Sequence, residues 1–199
     1  MKAVARHMVP FLLVTAVSVF PAFGQQAATD VPTSETDPVL IFNRICYAQV
    51  PVVRKIEALA TRFAWNRMGK SDVRQFTSLD DPDYLAGWDV NLAKRLYRLG
   101  VVQSEPSAQF KQNFPEFADG EATACTLVLD GADEWDVVLG RMNSLIGKKP
   151  ASSEVPDGGL LTTTWAGGNN DFKVFVFAKA TPEGKATLLN VTILSKEKV

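Results

Sequence analysis

Histidine is nearly missing: the 199-residue chain has one, His7. It lies in the first 24 residues, which read as a removable leader, so the chain beyond them has none. That excludes Ser-His-Asp and Cys-His nucleophile activation, histidine-ligated zinc, iron or copper, and a histidine general base. Cysteine is almost as scarce, with only Cys46 and Cys125. Charge of either sign is not in excess, at 21 Lys and Arg against 22 Asp and Glu. A nucleic-acid binder, or a protein held on anionic lipid, would carry a basic surface that this balance does not supply.

One long apolar run is present, Met8 to Phe20 in MKAVARHMVPFLLVTAVSVFPAFG, preceded by the basic Lys2 and Arg6. Its length is that of a signal-peptide core, shorter than the roughly 20 residues of a spanning helix. Ala22 and Gly24 are the small residues expected before a cut at Gln25. We therefore expect residues 1–24 to be a signal peptide, no integral membrane span after cleavage, and a periplasmic or secreted location. Lys2 and Arg6 are two of the 21 basic residues and the leader holds no acid, so the remainder carries 19 against 22, net −3. Residues 25–36, QQAATDVPTSET, have the small, polar, aperiodic composition of a flexible leader. A single domain over 37–199 accounts for the rest.

The two cysteines have three readings: a metal pair, reactive thiols or a bridge. An oxidising compartment favours the bridge, and their wide separation is unlike the short Cys-x-x-Cys spacing of redox or zinc sites. A loop of that length contributes about 4.5 kcal/mol on the chain-entropy account.

Asp37-Pro38 has the form of a helix start, with a capping acceptor and a proline whose missing N–H costs nothing in the first turn. Val39, Phe42, Ile45, Cys46 and Gln49 recur at three and four, which puts Cys46 on an apolar face, and Pro51 ends the run. A second helix is expected from Val52 to Trp65 on the stripe Ile56, Leu59, Ala60 and Phe63, stopped by Gly69. Residues 70–120 are broken by Pro82, Gly87, Gly100, Pro106 and Pro115, and LYRLGVVQ there reads equally as helix or strand. The apolar, β-branched stretch Thr123 to Leu129 predicts a strand that carries Cys125. Asp133 is placed to cap a helix reaching Ile146, with Gly147 as its C-terminal stop. Three strands follow, Leu160–Ala166, Phe172–Ala180 and Ala186–Ser195, joined by the hairpin compositions GGNND and TPEGK. The expected fold class is α+β: an antiparallel sheet of four to five strands with helices packed on one face, braced by the disulfide between Cys46 and Cys125.

Carboxylates are the abundant acid/base groups left. Asp80, Asp81 and Asp83 in DDPDYLAGW, and Glu116, Asp119 and Glu121 before the Cys125 strand, are the candidate catalytic residues. The first cluster lacks the glycine and distal glutamate of a calcium loop, and a solvated turn explains it equally. No metal site and no cofactor is expected. Gly69-Lys70-Ser71 lacks the upstream glycine of a phosphate-binding loop, where Ala64 stands instead. Ser195-Lys196-Glu197-Lys198 spells a Ser-x-x-Lys pair at the extreme end of the chain. Trp65, Trp88, Trp135 and Trp165 are spread one per element, as core residues would be, or one of them lines a ligand groove.

The order of an apolar helix with Cys46, a rise into Ala124-Cys125-Thr126-Leu127-Val128 and a helix opening near Trp135 resembles a group of uncharacterised secreted, single-disulfide proteins of alphaproteobacteria. The resemblance covers residues 40 to 145 and implies export and a disulfide, with no activity attached. Two functions stay open. One is a non-enzymatic binding, inhibitor or envelope-interaction protein, whose partner would be another periplasmic or envelope protein. The other is a carboxylate-based hydrolase acting on cell-wall or other polysaccharide.

Overall fold

A computed structural model describes residues 36–197 except 78, 80, 81, 93 and 156–158. The signal-peptide expectation, all but the last residue of the leader, and Asp80 and Asp81 lie outside the described residues.

Asp37 opens the first helix as its sequence requires: its carboxylate accepts the Val39 backbone N–H at 3.0 Å, and Pro38 takes the first helical position. Helix α1 (Pro38–Phe42) runs into a π-helical turn, Asn43–Tyr47, and the two bury Val39, Ile41, Phe42, Ile45 and Cys46. Helix α2 (Val53–Arg62) buries Val53 with Ile56, Leu59 and Ala60 of the expected stripe, while Phe63, the fourth expected member, lies just past the helix and is half-buried. It stops before Gly69, because the chain leaves the helix through Phe63 and Ala64 takes a positive φ of 49°. Strand β1 (Asn66–Arg67) and helix α3 (Lys70–Arg74) then precede the main sheet.

That sheet corrects the expected size: it has eight strands, not four or five, in the order β1-β2-β3-β4-β8-β7-β6-β5, every neighbouring pair antiparallel. The long additions are β2 (Tyr84–Leu92) and β3 (Arg95–Ser104). Helix α4 (Ala108–Asn113) and a 3-10 turn (Pro115–Phe117) lead to β4 (Glu121–Val128), and helix α5 (Trp135–Ile146) follows. The short β5 (Ser152–Glu154) edges the sheet, and β6 (Leu161–Gly168), β7 (Phe172–Ala180) and β8 (Ala186–Ser195) form the expected hairpins.

Alternation along the strands separates two faces. Trp88, Leu99, Val101, Cys125, Leu127, Val176 and Val191 share a core with residues of α1, the π-helical turn, α2 and α5. The Cys46–Cys125 disulfide ties that helical layer to the centre of the sheet. Leu85, Val102, Ala122, Ala124 and Leu194 point the other way and pack with Val73, Leu79 and Phe117, with Phe76, Phe110 and Phe114 against them. Helices therefore stand on both faces, not one. A Cβ on Gly87 would come within 2.8 Å of the Leu99 carbonyl, and one on Gly100 within 2.6 Å of the Phe76 ring. Gly87 and Gly100 are register partners, so the absence of two side chains lets α3 and Phe76 approach the sheet.

At α5 the expected cap is absent: the Asp133 carboxylate is taken by Arg95, and Glu134 precedes the helix with no side-chain cap bond. Gly147 does end it in the left-handed region, at φ 69°.

Candidate functional site

The second face is only partly covered, and the uncovered part forms a groove of about 500 Å³. Phe76 and Leu79, at and beyond the end of α3, and Ser107, Gln109 and Phe110 of α4 line it from above. The sheet supplies Thr126 from β4, Leu188, Asn190 and Thr192 from β8, Phe177 and Lys179 from β7, and Thr162 from β6. Register fixes their order across the strands. Thr126 pairs with Asn190 and Asn190 with Phe177, while Leu188 pairs with Lys179 and Lys179 with Thr162.

The floor is polar and buried: Thr126, Asn190 and Thr192 are 1%, 5% and 2% exposed. The Asn190 amide donates to Thr126 Oγ1 at 2.7 Å, and the Thr192 hydroxyl donates to Asn190 Oδ1 at 3.1 Å. An asparagine amide has two N–H donors. The second one on Asn190 has no partner among the described residues. At one end the groove is closed by aromatic packing, with Phe110 and Phe114 set 5.5 and 5.4 Å from the Phe175 ring centre. Toward the other end stands Lys179, the charged side chain of the lining.

A smaller cavity of about 200 Å³ opens on the helical side, lined by Tyr47, Ile146, Trp165 and Val174 among others. Trp165 is the tryptophan that meets a cavity. Its indole N–H donates to Asn143 Oδ1 at 3.0 Å, and the ring is otherwise buried. Trp88 and Trp135 are core residues, and Trp65 stacks on Phe63.

The candidate carboxylates among the described residues, Asp83, Glu116, Asp119 and Glu121, do not line either cavity. Asp83 is exposed at the bend before β2, while Glu116 and Asp119 are exposed around the 3-10 turn. Glu121 opens β4 and accepts the Gln103 amide at 2.7 Å. Among the described residues no group of three metal-ligating side chains occurs. Asn169 accepts the backbone N–H groups of Asp171 and Phe172 at 2.8 and 3.1 Å, so the Gly167–Asp171 loop spends these donors on its own turn. Ser195 donates to the Glu197 carbonyl at 2.8 Å, and Gly69-Lys70-Ser71 begins α3.

The strongest electrostatic cluster lies at the β3 end of the helical face. The Arg95 guanidinium donates to Asp130 at 2.8 Å, to Asp133 at 3.2 Å and to the Thr36 carbonyl at 3.1 Å, and stacks on the Tyr97 ring. Asp130 and then Asp133 push Arg95 further above its usual range, and Arg95 holds the Asp130 carboxyl below its own. Tyr97 is fully buried, its hydroxyl has no hydrogen-bond partner among the described residues, and burial pushes it up to about 12. Tyr84 is raised as well, first by burial and then by its 2.6 Å hydrogen bond to Glu57. These groups fasten α2 and the β4–α5 connection to the sheet. None of them lines the groove.

Sequence reasoning did not find the floor. The available signal was Asn190 and Thr192 alternating with Leu189, Val191 and Ile193, two polar residues on one side of a strand whose other side is core. Comparison with family models, with curated proteins and with solved structures returned no match.

Proposed function

We propose that this chain is an exported, non-enzymatic binding protein whose ligand site is the groove on the second face of the sheet. The groove itself carries the reading. It joins apolar walls to a hydrogen-bonded amide and hydroxyl floor, the usual make-up of a small-molecule site, and its volume is within the range such sites occupy. Among the described residues its lining holds neither a carboxylate nor a histidine, so those residues offer contacts that hold a ligand and no acid/base pair. Export is part of the proposal, supported by the leader composition of residues 1–24, by the resemblance to secreted single-disulfide proteins, and by a disulfide of the kind oxidising compartments sustain.

The test is titration with the neutral, polarity-sensitive dye N-phenyl-1-naphthylamine. The wild-type chain is expected to give a saturable, single-site fluorescence rise. Thr162→Trp, a half-buried position on the groove wall, is expected to abolish the rise while leaving the melting temperature near wild type. No saturable rise, or equal binding by a folded Thr162→Trp chain, would overturn the proposal.

A further inference from the structure

Three features of the groove are ordered along its length, and together they specify a ligand. One end is closed by aromatic rings, Phe110 and Phe114 on Phe175. The middle presents Asn190, 95% buried by its 5% exposure, with one amide N–H uncommitted among the described residues. The far end carries Lys179; Arg98 lies outside the lining, three strands away on the same row of the sheet, since Arg98 pairs with Val128, Val128 with Leu188, and Leu188 with Lys179.

Lys179 has no carboxylate within ion-pairing distance among the described residues, and the Arg98 guanidinium lies 5.7 Å from the centre of the Phe76 ring that walls the groove. Two acids share the row outside the groove. Asp89 is the register partner of Arg98, and Glu154 lies one strand beyond Thr162, neither of them ion-paired to these cations. An unpaired ammonium beside an apolar trough favours an anionic head on a ligand whose body is apolar. A buried, uncommitted N–H favours an acceptor further in, since an unmet donor there costs free energy that a ligand carbonyl would recover. Residues 188 and 190 face the same side of β8 two positions apart, so head and acceptor are separated by roughly 7 Å of strand, less the reach of the lysine stem.

Resting on the groove as the binding site, the geometry points to a single-chain amphiphile with a carboxylate head and a carbonyl a few atoms inward, the chemistry of an N-acyl amino acid. The acyl chain lies toward Phe110, the amide carbonyl accepts from Asn190, and the carboxylate meets Lys179.

The experiment displaces N-phenyl-1-naphthylamine from the full chain with N-dodecanoylglycine and with its methyl ester, both below their micellar concentrations. The acid is expected to bind about tenfold tighter than the ester, as one charge-assisted contact would give. Lys179→Met is expected to bring the two within about twofold of each other, chiefly by weakening the acid, with each affinity corrected for that variant's own dye affinity. With the ligand's amide carbonyl carbon-13 labelled, its stretching band in the complex is expected at lower frequency with the wild-type chain than with a folded Asn190→Leu chain, the signature of a hydrogen bond accepted from Asn190. Equal displacement by acid and ester, an acid preference untouched by Lys179→Met, or a bound carbonyl band unmoved by Asn190→Leu would each overturn this inference while leaving the groove as a site. Failure of the dye itself to bind would remove the groove, and this inference with it.

Discussion

At the residue scale, Tyr97 and Arg95 show how differently two partly matched polar groups weigh on stability. The Tyr97 hydroxyl is buried without a partner among the described residues, so it contributes desolvation cost and no compensating bond. Tyr97→Phe keeps the ring under Arg95 and is expected to raise the unfolding free energy by about 1 kcal/mol in urea titration. A loss of that size would show that the hydroxyl is satisfied in solution. Arg95 works in the opposite direction. It holds Asp130 below the ordinary carboxylate range, so this contribution is complete above the unfolded pKa of about 4 and is lost as pH falls through the lower folded value. Arg95→Met is therefore expected to be less stable than wild type at pH 7, by a margin that narrows on acidification toward pH 2. A margin constant with pH would mean that Arg95 acts only through packing on Tyr97. Arg95 was silent in the sequence, because folding brings its partners to it: it lies 35 and 38 positions from the two aspartates it holds.

At the element scale, the disulfide joins the π-helical turn to the central strand β4 across a sequence separation of 79 residues. Cys46→Ala with Cys125→Ala is expected to lower stability by about 2 to 5 kcal/mol, read from the urea midpoint. An unchanged midpoint would mean that the apolar face of α1 holds the layer unaided. The elements themselves differed sharply in how far they could be read. β6, β7 and β8 are punctuated by GGNND and TPEGK, and α5 by its left-handed Gly147, so their limits were legible from turn chemistry. β2 and β3 were not. Helices cover both of their faces, so YLAGWDVNL and LYRLGVVQ show apolar residues on both sides and no alternation, and Gly87 and Gly100 interrupt what pattern remains. The prediction of helices on one face failed for the same reason, since α3 and α4 are too short to show a helical period.

At the scale of the whole molecule, the second layer is what makes a site. Residues of the floor lie on strands visible in the sequence, but the walls come from 70–120, where the elements were illegible, so the groove could not be assembled before the fold was known. An inventory of the sequence did narrow the chemistry: a chain without histidine past residue 7 places weight on binding, and the candidate carboxylates among the described residues line neither cavity. The most direct measurement of the central claim is an amide nitrogen–proton NMR titration of the disulfide-intact chain with N-phenyl-1-naphthylamine. The account predicts shift changes concentrated at Thr126, Thr162, Phe177, Lys179, Leu188, Asn190 and Thr192. Changes centred instead on Trp165, Val174 and Ile146, or none at saturating dye, would contradict it.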